Sequence, residues 1–125
     1  MELIRIKANV VSGKGRGKGL GIPTINFEIP DDLTIPHGVY AANVVIDGRT
    51  YPTALHFGPR PAFDEEDVSL EAYLLEGLLE KTPDKAEVIF ISYIRPIMNF
   101  ESSDAMMHQI NRDIIDIKAS LSQAA

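Results

Sequence analysis

The sequence predicts a mainly β protein, in which six short strands form an antiparallel barrel and one helix follows at the C-terminus. Apolar and polar residues alternate through most of the chain, which is typical of strands with one buried face. Between positions 106 and 121, apolar residues instead recur every three or four places, as they do on one face of a helix. A run of strands followed by a single helix favours a barrel on which the helix packs.

Length and composition limit the class of protein. The 125 residues suit one domain, which we expect to span residues 1–125. Cysteine is absent, which excludes disulfides, thiolate metal sites and cysteine nucleophiles. No apolar run approaches the ~20 residues of a membrane span, and residues 1–7 lack the pattern of a signal peptide. We therefore expect a cytoplasmic protein without a membrane partner, and we expect it to be a monomer. The net charge of −6 argues against nucleic-acid binding.

The predicted strands follow the alternation and the apolar runs along the chain. They span residues 4–10, 24–29, 38–46, 49–57, 68–75 and 86–94. Asp47 and Gly48 separate the third strand from the fourth, and this pair predicts a tight hairpin because both residues tolerate positive φ. Pro52 has no N–H to donate, so its part of the fourth strand should lie at a sheet edge or at a bulge. The acidic run at 64–67 indicates a solvated loop between two strands.

The C-terminal segment predicts the helix. Ser102 or Ser103 can cap its first turn, and Asp104 suits the positive end of the helix dipole. The sequence leaves open whether the helix covers an opening of the barrel or one side of its sheet. The apolar stripe consists of Met106 or Met107, Ile110, Ile114, Ile117 and Leu121.

A basic, glycine-rich segment precedes the second strand. Glycine occupies every second position from Gly13 to Gly21, and three cationic residues, Lys14, Arg16 and Lys18, lie between the glycines. The spacing fits neither a P-loop nor a dinucleotide-binding fingerprint, and a strand rather than a helix follows. Glycines let the backbone approach an anion closely, so the segment is a candidate phosphate-binding loop. The alternative is a mobile, solvated loop with incidental lysines.

The segment leads into a strand that displays polar groups on one face. Pro23 fixes the local backbone, and Thr24 and Asn26 then lie two residues apart on the same side of the strand. Their hydroxyl and amide oxygens suit Mg²⁺, which binds few protein oxygens together with phosphate oxygens and water. The alternative is an ordinary polar strand face.

Together, these residues resemble the signature of the riboflavin kinase family. The resemblance rests mainly on Gly15-Arg16-Gly17 and on the stretch 20–27. It implies a six-stranded Greek-key barrel with a C-terminal helix, in agreement with the strand count. Weaker matches follow in the order of the family at 38–40, 58–63, 69–75, 93–100 and 109–113.

The resemblance also implies an activity and the residues that perform it. A member of this family transfers a phosphoryl group from ATP to riboflavin with the help of Mg²⁺ and produces FMN. The implied nucleotide-binding residues are Gly15, Arg16, Gly17, Lys18, Gly21, Pro23 and Thr24. The implied metal ligands are Thr24 and Asn26, and the implied flavin-binding residues are Arg95, Phe100, Met106 and Ile110.

Glu71 is the candidate general base. Alternation in the fifth predicted strand puts Ser69, Glu71 and Tyr73 on the face opposite the apolar residues. The chain has eighteen acidic residues, so chemistry alone does not choose among them, and a solvated outward charge is the alternative. The resemblance assigns Glu71 to the position of the family's catalytic glutamate.

Three positions differ from the family pattern. Ala62 stands where the family usually has threonine, Tyr73 where it usually has histidine, and Ile97 where it commonly has glutamate. These differences leave open a second hypothesis, a barrel that binds a flavin or a nucleotide without turning it over. A third hypothesis is single-stranded nucleic-acid binding through the glycine-rich segment, which the net charge and the 7% aromatic content disfavour.

Overall fold

Six strands and one helix make up the part of the chain that the structure describes. The computed structural model describes residues 3–11, 23–60, 65–77, 79 and 81–124. The strands pair in the order β1-β2-β5-β4-β3-β6, and β6 pairs with β1 to close an antiparallel barrel. The predicted mainly β barrel with a C-terminal helix is confirmed. The elements are β1 (Ile4–Val11), β2 (Thr24–Phe27), β3 (Gly38–Ile46), β4 (Arg49–Arg60), β5 (Glu65–Leu74), β6 (Lys85–Arg95) and α1 (Ser103–Ala124).

Strand β2 lies beside β5 rather than beside β3, its successor in the chain. Strands β3, β4 and β5 are neighbours in sequence and in space, and β2 occupies the far side of β5, which is a Greek-key order. This order brings residues 24–27 next to residues 70–73, which are far away in the sequence.

The facing ends of β4 and β5 extend beyond their predicted limits. β4 continues to Arg60, β5 begins at Glu65, and these two residues pair across the ladder. The prediction of a loop over the acidic run is therefore wrong from Glu65 onward. The start of β5 depends on backbone partners in β4, and backbone pairing does not require apolar side chains.

The hairpin between β3 and β4 has the predicted turn. Asp47 and Gly48 have φ angles of 50° and 79°, and they connect Ile46 to Arg49, which are opposite each other in the ladder. Two consecutive positive φ angles give a turn whose twist matches that of the flanking strands.

Pro52 lies at the end of a ladder. It is opposite Asn43 of β3, and no register shift interrupts this pairing. On its other side, its carbonyl accepts a hydrogen bond of 2.8 Å from the Leu75 N–H, just beyond the last β4–β5 pair, Thr53 with Leu74. The predicted sheet edge is therefore confirmed on the β5 side, where no β4–β5 pair among the described residues lies beyond Thr53 and Leu74. The β4–β5 ladder ends at the residue that has no N–H to donate.

Apolar side chains at alternate strand positions fill the barrel. Burying a large apolar side chain contributes roughly 1.5–3 kcal/mol, so this interior is the main favourable term for the fold. The alternation predicted from the sequence in β1, β2 and β5 corresponds to this inner face. Its larger buried members include Ile25, Phe27, Tyr40, Val44, Leu55, Phe57, Leu70, Leu74, Val88 and Phe90.

Strand β6 departs from strict alternation where it meets the helix. Its register with β3 shifts twice, and the shifts skip Ile91 and Ile94. A bulge adds a residue to one strand and changes which side chains share a face. Both isoleucines consequently pack in the cluster beneath the helix, and the Ser92 hydroxyl forms a hydrogen bond with that of Ser120.

Helix α1 packs on one side of the sheet, against β3, β4 and β6. Ile117 is fully buried there with Val39 and Ala41 of β3. The helix begins as predicted, because Ser102 Oγ accepts a hydrogen bond of 3.1 Å from the Ala105 N–H. Among the described residues, no helix combines the length and hydrophobicity that a membrane span needs.

Gly38 provides a test of how closely β3 and β6 approach each other. A Cβ atom at this position would lie 2.5 Å from the Arg95 carbonyl oxygen and 2.6 Å from the Tyr93 ring. The backbone would have to move, so we expect Gly38→Ala to lower the free energy of unfolding by about 2–3 kcal/mol in urea titrations.

Gly48→Ala is the control for this substitution. A Cβ atom at Gly48 would meet nothing within 4 Å, so only its positive φ opposes the alanine, at a cost of about 1 kcal/mol. Equal losses in the two variants would contradict a steric origin at Gly38.

Candidate active site

Strand β5 carries the candidate base between two neighbouring strands. Glu71 is opposite Asn26 of β2 on one side and opposite His56 of β4 on the other. Residues directly opposite each other in adjacent strands lie on the same face of the sheet. Since Leu70 and Ala72 fill the barrel interior, the three polar residues lie together on the outer face.

Glu71 is buried although it lies on the outer face. Only 4% of its surface is exposed, so its interpretation as a solvated charge is wrong. Ser69, two residues earlier on the same face, donates a hydrogen bond of 3.0 Å from Oγ to Glu71 Oε2. Burial of a carboxylate is costly unless hydrogen bonds replace its water, and Ser69 provides one such bond.

His56 is also buried on this face, with 8% of its surface exposed. Its Nε2 lies 2.9 Å from the Gly58 carbonyl oxygen, and because a carbonyl can only accept, Nε2 carries the proton and donates it. Neither His56 nor Ser69 was a candidate from the sequence. In the sequence, each is marked only as a polar residue between apolar neighbours in a strand. The strand register is what makes His56 a neighbour of Glu71.

Thr24 and Asn26 lie on one face of β2, as predicted. Both are half-buried, whereas Ile25 between them is buried in the core. The ladder to β5 continues one step further, because the Pro23 carbonyl accepts a hydrogen bond of 2.9 Å from the Leu74 N–H. The backbone of this short strand is thus held by β5.

The oxygen atoms on this face suit a magnesium ion. The Thr24 hydroxyl and the Asn26 amide offer hard oxygen atoms, and Glu71 is opposite Asn26 in the ladder. Mg²⁺ prefers such oxygens and usually completes its shell with phosphate oxygens and water. Within the described ranges, no group of three or more His, Cys, Asp and Glu side chains is arranged to hold a metal.

Most of the predicted phosphate-binding segment lies outside the described residues. Of the predicted nucleotide site, the structure describes Pro23 and Thr24, and Thr24 is opposite Tyr73 of β5. Ala62, one of the departures from the family pattern, also lies outside the described part. The undescribed members of the nucleotide site are Gly15, Arg16, Gly17, Lys18 and Gly21.

Two tyrosines hold the segment before β3 against the barrel. Tyr40 Oη donates to the Pro36 carbonyl at 2.6 Å, and Tyr93 Oη donates to the His37 carbonyl at 3.2 Å. Burial raises the pKa of Tyr40, and the neighbouring Tyr93 raises it further, so Tyr40 remains a protonated donor. These bonds keep His37 edge-on to the Phe57 ring, with a centroid distance of 5.0 Å.

Gly58 is where this segment meets the chain that follows β6. A Cβ atom on Gly58 would lie 3.0 Å from Ile97 Cγ1 and 3.1 Å from His37 Cβ, and the φ of +141° also favours glycine. Gly58 pairs with Ser69 in the β4–β5 ladder. The start of the predicted flavin-side loop therefore packs beside the strand pair that carries Glu71.

Arg95 joins the end of β6 to helix α1. Its Nε and Nη2 donate to both carboxylate oxygens of Asp113 at 2.9, 3.0 and 2.8 Å. Asp113 is 4% exposed and also accepts a bond of 2.9 Å from Gln109 Nε2. Such a bidentate, charge-assisted pair is strong and directional. It gives Arg95 a structural role, and contact between Arg95 and a flavin remains a prediction.

The other predicted flavin-binding residues lie on the loop and helix that this ion pair connects. The Phe100 ring centroid is 5.9 Å from Arg95 Cζ, within the range of a cation–π contact. Met106 and Ile110 are half-buried and one turn apart on the same face of α1. Met107 is more exposed, so Met106 is the residue that continues the apolar stripe.

Comparison with known proteins identifies the family. The sequence matches the family described as "Flavokinase: Riboflavin kinase" over residues 2–121. The chain belongs to the riboflavin kinase family. The resemblance inferred from the glycine-rich segment and the strand after it is thereby confirmed, and it extends over nearly the whole chain.

Relatives in the riboflavin kinase family include larger, bifunctional proteins. The bifunctional riboflavin kinase/FMN adenylyltransferase of Listeria monocytogenes is 30% identical over 90% of this chain and 37% of its own length. That of Pseudomonas fluorescens is 29% identical over 97% of this chain and 39% of its own. Human riboflavin kinase is 30% identical over 92% of this chain and 79% of its own. The chain thus spans less than two fifths of these bifunctional relatives.

The fold is also similar to a solved structure, that of the macrolide-efflux protein from Streptococcus pneumoniae. The TM-score is 0.78 at 26% sequence identity, over 93% of this chain and 38% of that chain. The barrel with its helix therefore also occurs as part of a longer polypeptide.

The contribution of the ion pair between Arg95 and Asp113 can be measured as a change in the free energy of unfolding. Asp113→Asn removes the buried counter-charge of the Arg95 guanidinium, whose side chain is 15% exposed, and we expect the free energy of unfolding to fall by about 3 kcal/mol. Asp116→Asn is the control on the same helix, because Asp116 is exposed and its loss should stay within ~0.5 kcal/mol. Urea denaturation of both variants measures the difference, and equal stabilities would contradict a buried ion pair.

Proposed function

We propose that this chain is an ATP-dependent riboflavin kinase, which transfers the γ-phosphoryl group of ATP to the 5′-hydroxyl of riboflavin and yields FMN and ADP. Membership of the riboflavin kinase family supports the proposal, as do relatives named riboflavin kinases. The observation that carries it is the pairing of Glu71 with Asn26 across β5 and β2. This pairing joins a proton acceptor to oxygen ligands for a metal, which phosphoryl transfer to an alcohol needs.

Glu71 would act as the general base. The transfer requires little covalent chemistry from the protein, but the attacking hydroxyl must lose a proton as its oxygen bonds to phosphorus. A carboxylate within hydrogen-bond reach can accept that proton. The burial of Glu71 supports this role, because a carboxylate shielded from bulk water and bonded to Ser69 is held in one place.

Thr24 and Asn26 would hold Mg²⁺ through the hydroxyl Oγ1 and the amide Oδ1. When bound, Mg²⁺ neutralises the charge that collects on the phosphate oxygens. The position of both residues on the outer face supports this assignment, since it aligns them with the carboxylate rather than with the core.

The remaining contacts belong to the two substrates. The ATP phosphates would bind backbone N–H groups and cationic side chains of the glycine-rich segment, and the flavin ring would lie between the loop after β6 and helix α1. We further propose that the protein acts as a cytoplasmic monomer. The proposed nucleotide contacts are Gly15, Arg16, Gly17, Lys18, Gly21, Pro23 and Thr24. The proposed flavin contacts are Arg95, Phe100, Met106 and Ile110.

The activity and its base can be tested together. Purified protein supplied with riboflavin, ATP and Mg²⁺ should release FMN and ADP, which chromatography separates. Glu71→Gln keeps the size of the side chain but accepts a proton poorly, so we expect kcat to fall by roughly 10²–10⁴-fold. Glu87→Gln is the control, since Glu87 lies on β6 and forms a long pair, at 3.8 Å, with the exposed Arg5.

Two outcomes would contradict the proposal. Tight FMN binding without any consumption of ATP would favour a barrel that binds flavin and does not turn it over. Full turnover by Glu71→Gln would leave the activity in place but remove Glu71 from its role as the base.

The metal ligands can be tested by magnesium titration. Asn26→Ala removes one proposed ligand, and we expect the Mg²⁺ concentration for half-maximal velocity to rise about tenfold or more. Asn43→Ala is the control, because Asn43 lies on β3 and pairs with Pro52 away from the site. An unchanged magnesium requirement in Asn26→Ala would exclude Asn26 as a ligand.

A further inference from the structure

The hydroxyl of Ser69 lies against the carboxylate of Glu71. Its Oγ is 3.0 Å from Glu71 Oε2 and 3.4 Å from the Gly58 carbonyl oxygen. A serine hydroxyl has a single proton to donate. The carboxylate is both the nearer and the stronger acceptor, so the proton is directed to Glu71.

The Gly58 carbonyl is engaged by another donor. His56 Nε2 donates to it at 2.9 Å, which is shorter than its contact with Ser69. His56 is also opposite Glu71 in the ladder. The histidine therefore bonds this carbonyl more closely than the serine does, and the shorter contact of Ser69 is the one to Glu71.

The backbone that carries Ser69 is held in place. Ser69 is opposite Gly58, and Gly58 is packed against Ile97 and His37 so closely that a Cβ atom would approach both within about 3 Å. The register shifts directly afterwards, between Gly58 and Arg60. A register shift of this kind turns nearby side chains to new directions and is common beside active sites.

We propose that Ser69 is a positioning residue of the kinase, which holds Oε2 of Glu71 so that the carboxylate keeps one orientation toward the substrate hydroxyl. This inference rests on the proposed role of Glu71. Rotation of the carboxylate about its Cγ–Cδ bond breaks the hydrogen bond to Ser69. Without that bond, the carboxylate spends less time in the geometry that accepts the proton, and the transfer step slows.

Steady-state kinetics of three variants test the proposal. Ser69→Ala should lower kcat about tenfold and leave the KM values for riboflavin and ATP unchanged, because the lost bond acts only on the base. Ser69→Thr keeps the hydroxyl in a residue that strands accept well, and it should recover most of the loss. Ser92→Ala is the matched control, since it removes a strand serine whose hydroxyl bonds Ser120 instead.

A double variant separates positioning from general support of the fold. In a Glu71→Gln background, Ser69→Ala should cause no further loss of kcat, because the group through which it acts is already gone. A further tenfold loss there, or failure of Ser69→Thr to recover activity, would overturn the proposal. So would a fall in melting temperature in Ser69→Ala that clearly exceeds that of Ser92→Ala.

The same measurements distinguish this inference from the proposed function. An inactive wild-type chain overturns the kinase activity, and the role of Ser69 with it. An active wild-type, a defective Glu71→Gln and a fully active Ser69→Ala together overturn the role of Ser69 alone.

Discussion

Strand β5 pairs with β2 on one side and with β4 on the other, and the candidate site depends on this double pairing. A register shift of one residue would turn Glu71 into the barrel and bring Leu70 to the outer face. The apolar side chains inside the barrel prevent such a shift, because they pack only when the alternate residues of all three strands face inward. The core on one face of the sheet therefore keeps Asn26, Glu71 and His56 adjacent on the other.

The outer face of these strands is held together by its own packing contacts and hydrogen bonds. The segments before β3 and after β6 meet over Gly58, so polar side chains beside it are buried rather than solvated. Hydrogen bonds are stronger in such surroundings than in water, which makes the contact between Ser69 and Glu71 more directional. The ion pair between Arg95 and Asp113 holds the chain where it leaves β6 against the helix, just before Ile97 reaches Gly58. The packing at Gly58 and the ion pair between Arg95 and Asp113 thus stabilise neighbouring parts of the same outer face.

Local patterns predicted most of the secondary structure. Alternation or an apolar run indicated every strand, Asp47-Gly48 indicated its hairpin, and Ser102 capped the helix as expected. The acidic run was predicted wrongly because a partner strand decides its structure. The acidic residues from Glu65 onward join β5 because β4 offers backbone partners.

The sequence by itself predicted the outward faces of β1, β2 and β5, and it identified the family through the residues around Pro23. The period of apolar residues shows which side of a strand is buried, and a motif depends on residues close together in the sequence. Both can therefore be recognised without knowing which strands are paired. Only the tertiary structure decided that β2 lies beside β5, that Glu71 is buried, and that Ser69 and His56 belong beside it. It also decided that Arg95 bonds Asp113 of the helix. These facts depend on contacts between residues that are distant in the sequence. Such contacts form only when the strands close into a barrel around one apolar core.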